Sequence, residues 1–348
     1  MKRLGLILAV AGALVAPATP ASAHGGDAPD ATAYRVTVSG VTPPEKGLTV
    51  RAVEAGARLE LVNHTGHPVE VLGYSGEPYL EVRPDGTYEN LNAPTTYLNR
   101  TLAGDTPVPA GADPAATPRW ARVSAEPSVR WHDRRTRWLG DGPPPAALAD
   151  PAHTHRISDW SVPLRAGART FAARGTLDWV PPPRTWLWWL GAALLAVAVA
   201  AAGRWHGRAA GALAVLAGAV ALGYAASRAF AGSPGTLPAL LAAVLAVLAG
   251  AVALTRRSAT RGRPGDGPAT ASRGHPAAFP LALGGAALAL FAGVAQAGVW
   301  RQAVVDAPGP AWCARAAVLM ALGAGLGTAV TGVAGLRRRS GGPARVGA

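Results

Sequence analysis

Residues 179–203, WVPPPRTWLWWLGAALLAVAVAAAG, separate two kinds of chain. Pro181, Pro182 and Pro183 fix φ and remove backbone donors, which makes a stiff, extended spacer. Trp186, Trp188 and Trp189 then cluster where an aromatic belt sits at a water–lipid boundary. From Leu190 onward the stretch is almost wholly Ala, Leu, Val and Gly, and Arg204 and Arg208 close it. Such a run supplies the ~20 residues that a bilayer core demands.

Downstream of this stretch the apolar runs continue. They predict five helical spans at 186–203, 209–231, 237–255, 279–300 and 312–336, within a transmembrane domain covering 184–338. Arginine alternates between the loops. Arg204 and Arg208 lie in the first loop, and Arg256, Arg257, Arg261, Arg263 and Arg273 in the third. Arg337, Arg338 and Arg339 border the tail, whereas 232–236 carries no charge and 301–311 only Arg301. The positive-inside rule then places the C-terminus and the tail 339–348 in the cytoplasm and the N-terminal domain outside. Gly- and Ala-rich segments such as 284–293 imply close helix packing. Arg228 and Gln296 fall near the outer ends of their spans, within snorkelling reach of the interface. A pump with a charged midplane path is not expected.

Upstream, the reading is of an exported β-domain. Lys2 and Arg3, an apolar run to Val15 and Ala21-Ser22-Ala23 form a signal peptide over 1–23. Cleavage there would leave His24 as the first residue of a 24–183 extracytoplasmic domain. Alternating segments at 32–41, 48–74, 77–91, 121–133 and 155–180 read as strands. Turns are expected at Ala55-Gly56, at 64–66, at Pro84-Asp85-Gly86 and at Ala166-Gly167. Short strands without crossover helices predict an all-β sandwich, with 103–118 and 140–152 as surface loops. The fold class is therefore an exported β-sandwich followed by an all-α transmembrane bundle.

Composition fits this division. The chain has 348 residues, 49% hydrophobic, with a formal net charge of +13. The loop arginines account for much of that charge, so no nucleic-acid partner is expected. Cys313, the sole cysteine, lies in the membrane half, leaving the β-domain without a disulfide. P-loop, HExxH and GxSxG motifs are absent, and no catalytic residue is assigned.

Residues 130–138, RWHDRRTRW, form the densest chemical stretch of the β-domain. Arg130, Arg134, Arg135 and Arg137 are candidate anion-binding residues, since a guanidinium fork matches phosphate and carboxylate. His132 and Asp133 are candidate metal ligands. So are His153 and His155, whose i, i+2 spacing on a strand puts both rings on one face. A mature N-terminal His24 would offer an amine and an imidazole, nitrogen donors suited to Cu(II). With only Met1 and Met320 in the chain, a Met-rich Cu(I) site is excluded.

Segments 77–99, 126–138 and 155–183 resemble a group of uncharacterised actinobacterial membrane proteins with an exported β-domain. The resemblance covers most of that domain and only the layout of the bundle. In that group the central motif is richer in histidine, with His where this chain has Arg134 and Arg137. His132 and Asp133 therefore carry over, while two potential ligands are missing. The group is in turn similar in general design to exported copper-handling proteins with a mature N-terminal histidine. The expectation is a non-catalytic envelope membrane protein with an extracytoplasmic binding domain. Copper is its candidate cofactor, and membrane lipid and another envelope or copper-handling protein are its partners. The alternative is an envelope interaction protein that binds anionic glycopolymer or lipid through the basic patch.

Overall fold

The computed structural model describes residues 33–206, 208–231, 233, 235–255 and 277–340. The expected signal peptide and His24 lie outside them, as do residues 341–348 and most of the loop 256–278. Two compact units result. Val36–Pro144 and Arg156–Asp178 make one; Pro145–His155 and the chain from Trp179 onward belong to the other.

The β-region is a two-sheet sandwich of ten antiparallel-rich strands. They are β1 (Tyr34–Thr42), β2 (Leu48–Val53), β3 (Arg58–Asn63), β4 (Val69–Leu72) and β5 (Pro78–Arg83). Then come β6 (Gly86–Asn90), β7 (Trp120–Ser124), β8 (Ser128–Trp131), β9 (His155–Ala166) and β10 (Arg169–Trp179). The larger sheet runs β1-β10-β9-β4-β5-β6-β7, and the smaller β2-β3-β8. Period-two burial explains the strands: Trp160, Val162, Leu164 and Ala166 of β9 point inward, with exposed or half-buried residues between them. Leu59, Leu61, Val69, Val71, Val82 and Val162 are fully buried, each contributing about 1.5–3 kcal/mol of hydrophobic stabilisation. Backbone and ring approach so closely at Gly175 that a Cβ there would lie 2.0 Å from the Thr37 carbonyl oxygen and 2.2 Å from the Trp160 ring. Two short helices, α1 (Pro94–Leu98) and α2 (Pro145–Ala149), interrupt the loops. Both start at proline, which suits a first helical turn, and both are too short for the periodicity that reveals a helix.

The second region holds five helices long and apolar enough to cross a membrane. These are α3 (Thr185–Trp205), α4 (Ala209–Phe230), α5 (Leu237–Thr255), the span Ala278–Trp300 and α7 (Ala311–Ser340). Their bounds follow the sequence expectation within a few residues. The span Ala278–Trp300 is not one regular helix. It opens as α6 (Ala278–Ala287), widens into a π segment (Leu288–Gly293) and ends as a 3-10 segment (Val294–Trp300). Near the start of α7, Arg315 donates to the carbonyls of Val299, Gln302 and Ala303, while the Trp300 indole donates to the Arg315 carbonyl. These bonds satisfy carbonyls that the irregular helix end leaves open. Bundle contacts are made by small residues: a Cβ on Gly250 would lie 2.6 Å from the Gly211 carbonyl oxygen.

Candidate functional site

The RWHDRRTRW segment leaves the small sheet at the end of β8 and turns back over the sandwich. Arg130 is still on the strand. In register, Arg51 of β2 faces Glu60 of β3, and Glu60 faces Arg130 of β8. The Glu60 carboxylate is bonded to Arg51 and accepts from Arg130 Nε at 2.7 Å. Burial raises the Glu60 pKa, but the hydrogen bonds and charges of the two arginines outweigh it and hold the carboxyl below its usual range. Arg130 is thus one end of a cross-strand rung of alternating charge.

Asp133 follows, its side chain fully buried. It accepts from the Trp131 indole at 3.0 Å and from the Arg135 backbone N–H at 3.0 Å, which caps the 3-10 turn Arg134–Thr136. Arg135 adds a bidentate pair, Nε to Oδ1 at 2.8 Å and Nη2 to Oδ2 at 2.7 Å. Its guanidinium stacks over the Tyr74 ring, 5.0 Å from the centroid, and also donates to the Leu72 carbonyl. Burial works against the Arg135 charge, but Asp133 overrides it, and the net shift is upward.

His132 is 4% exposed and both its ring nitrogens are engaged. Nδ1 lies 2.9 Å from the Ala57 carbonyl and Nε2 accepts from Arg58 Nε at 3.1 Å. That pattern needs the proton on Nδ1 and occupies the Nε2 lone pair a metal would use. The Asp133 oxygens are likewise taken. His153 and His155 both turn to Asp150, Nδ1 of His153 to the carboxylate at 2.7 Å and Nε2 of His155 to the carbonyl at 2.6 Å. Among the described residues, no three His, Cys, Asp or Glu side chains form a group able to hold a metal.

Beneath the 3-10 turn lies a polar network the sequence did not announce. The Tyr74 hydroxyl accepts from the Arg134 backbone N–H at 2.8 Å and donates to Asn99 Oδ1 at 2.5 Å. Glu77, 4% exposed, accepts from Thr95 Oγ1 at 2.5 Å and the Ser75 N–H at 2.9 Å. Burial, reinforced by the Asp133 charge, pushes the Tyr74 hydroxyl up to about 12, and pushes the buried Tyr79 hydroxyl further in the same direction. The network joins β4–β5, α1 and the RWHD turn into one platform.

Arg134 and Arg137 sit on that platform. Both are half-buried, and the Nε of each is buried without a hydrogen-bond partner. Arg137 Nη2 reaches the Ala103 carbonyl only at 3.4 Å. Burial and the neighbouring Arg134 charge both lower the Arg137 pKa. Among the described residues neither guanidinium forms an ion pair with a carboxylate. The four candidate arginines therefore divide: Arg130 and Arg135 are neutralised within the fold, and Arg134 and Arg137 leave two like charges side by side. A buried, unanswered charged donor costs on the order of 1–3 kcal/mol, which an anion at this spot would recover.

The fold defines a class, a β-sandwich followed in sequence by a five-helix bundle of membrane-spanning length, the build of a multi-pass membrane protein. Comparison with protein-family models, curated proteins and solved structures found no match for the chain.

Proposed function

We propose that this chain is a cell-envelope membrane protein whose β-sandwich, held outside the membrane, binds an anionic envelope glycopolymer through Arg134 and Arg137. One observation carries the reading: two adjacent, half-buried guanidinium groups have donors to spare and no carboxylate among the described residues. Guanidinium groups offer planar forks for phosphate or carboxylate, and a pair spaced along one turn suits a repeating polyanion. Tyr74 holds the Arg134 backbone and the Asp133 cap fixes the turn Arg134–Thr136 that leads into Arg137, so the turn is formed before any ligand arrives. The role is binding, without catalysis.

Copper handling is the weaker proposal. It rests on His24, because His132 and Asp133 already spend their donor atoms inside the fold. It predicts Cu(II) binding that is lost when one residue is added before a native His24.

The test of the anion reading is retention of the full-length protein on isolated cell wall at low and high salt. Arg134→Ala with Arg137→Ala should weaken retention at low salt and flatten its salt dependence. Arg130→Ala should leave both nearly unchanged. Equal retention of the double variant and the parent protein rejects the site.

A further inference from the structure

A second cationic site lies inside the helical bundle. Between α4, α5 and the irregular span Ala278–Trp300 is a narrow cleft, open at its mouth and with room inside for little more than one water-sized atom. Its polar lining is Tyr224, Arg228, Thr236 and Gln296, set among alanines such as Ala225 and Ala292. Arg228 Nη1 donates to the Gln296 side-chain oxygen, and its guanidinium lies 6.0 Å from the centre of the Tyr224 ring. The Arg228 Nε and the Tyr224 hydroxyl are both buried; they lie close to each other, and neither has a hydrogen-bond partner of good geometry. Asp306 takes its hydrogen bond from Ser233, at 3.2 Å, and among the described residues Arg228 forms no ion pair.

The neighbouring helix is built around this cleft. Ala292 belongs to the π segment Leu288–Gly293, and Gln296 to the 3-10 segment that follows. A π turn widens the helix and re-aims the side chains after it, and such turns concentrate at functional sites. Here it brings Gln296 to Arg228. Arg228 is in the last turn of α4, so the cleft lies near the end of a span, at headgroup depth. At that depth the arginine stem carries its charge to the interface, where a guanidinium can meet the phosphate of an anionic headgroup.

We propose that this cleft binds a phosphate group through Arg228 and Tyr224, carried either by a membrane lipid or by a small soluble phosphate. Guanidinium and phenol supply the charge and the donors; the narrow cleft admits one phosphate oxygen, and the rest of the group and its substituent lie outside the open mouth. This site is independent of Arg134 and Arg137, and neither proposal needs the other.

The experiment uses the full chain in nanodiscs containing phosphatidylcholine and phosphatidylglycerol in equal amounts. Lipid that stays bound through detergent extraction is counted by native mass spectrometry, and a second arm follows thermal stability in inorganic phosphate. Wild type should retain phosphatidylglycerol over phosphatidylcholine. Arg228→Gln should lower that preference by roughly tenfold, the loss expected for a charge-assisted contact. Ala292→Leu, which fills the cleft and leaves the charge, should lower it too. Stabilisation by inorganic phosphate without lipid preference, lost in Arg228→Gln, supports the soluble source. The proposal is overturned if wild type shows neither lipid preference nor phosphate stabilisation, a result that needs no variant to fold. It is equally overturned if the preference survives both substitutions, or falls only on replacing Arg134 and Arg137.

Discussion

Inside the sandwich the fully buried positions are mostly leucine and valine, among them Leu59, Leu61, Val69, Val71, Val82, Val162 and Leu164. Inside the bundle they are mostly alanine, among them Ala217, Ala221, Ala243, Ala246 and Ala321. Leu194, Val197, Leu241, Leu248 and Val330 of the bundle face outward. The two regions use the same apolar residue types in opposite places, because they are organised against different solvents. In water, burying a leucine removes apolar surface from contact with the solvent and drives folding. In lipid the tails are as apolar as leucine, so large side chains gain nothing by turning inward, and helices associate through the close approach of small residues.

The comparison breaks most sharply at single leucines. Leu61→Ala in the sandwich should cost about 2–5 kcal/mol, a transfer and cavity loss measurable by chemical denaturation. Leu248→Ala, on the outward face of α5, should change bundle stability by no more than about 0.5 kcal/mol. Comparable losses at both positions would mean that the bundle interior is not where these contacts place it.

A smaller effect comes from adding bulk. Gly250→Val must move apart two backbones that already meet, and should cost about 1–3 kcal/mol of α4–α5 association. The same exchange at Gly223, where a Cβ would meet nothing, serves as the control and should be silent. Pairwise helix association in detergent reads both.

The smallest effect is a pH dependence confined to the sandwich. Tyr74 keeps its proton in the fold to about pH 12, above its ordinary value of 10.0. An unfolded chain releases that proton earlier, so the stabilisation is complete below pH 10 and is lost as pH rises through the folded value. Alkaline denaturation of the full chain should therefore be steeper than that of Tyr74→Phe between these limits. Identical curves would remove Tyr74 from the buried network.

How far the sequence could be read depended on the range of each interaction. The spans were legible because hydropathy is local, and α3 and α5 begin and end within two residues of their expected bounds. Strands and their turns were legible for the same reason, through alternation and through the turn at Gly167. Sheet order was not, because β4 pairs with β9 and β3 with β8 across long stretches of chain. The π segment left no mark on an alanine-rich run. RWHDRRTRW stood out as the densest chemical stretch of the β-domain, but the sequence did not show which of its arginines the fold would pair. Nothing near Arg130 tells that Glu60, 70 positions away, will neutralise it. Nor does the motif reveal that His132 will turn to Ala57 and Arg58, or that Tyr74 will seat Arg134.

The division between neutralised and unanswered arginines is the claim on which the functional account turns. Calorimetric titration of the full-length protein with a defined glycerol-phosphate oligomer tests it directly, using Arg134→Gln with Arg137→Gln against Arg130→Gln. The account predicts that the Arg134 and Arg137 pair weakens binding by roughly tenfold or more, as for two charge-assisted contacts, while Arg130→Gln leaves affinity unchanged. Equal affinity in all three proteins, or a loss caused by Arg130→Gln alone, would contradict it.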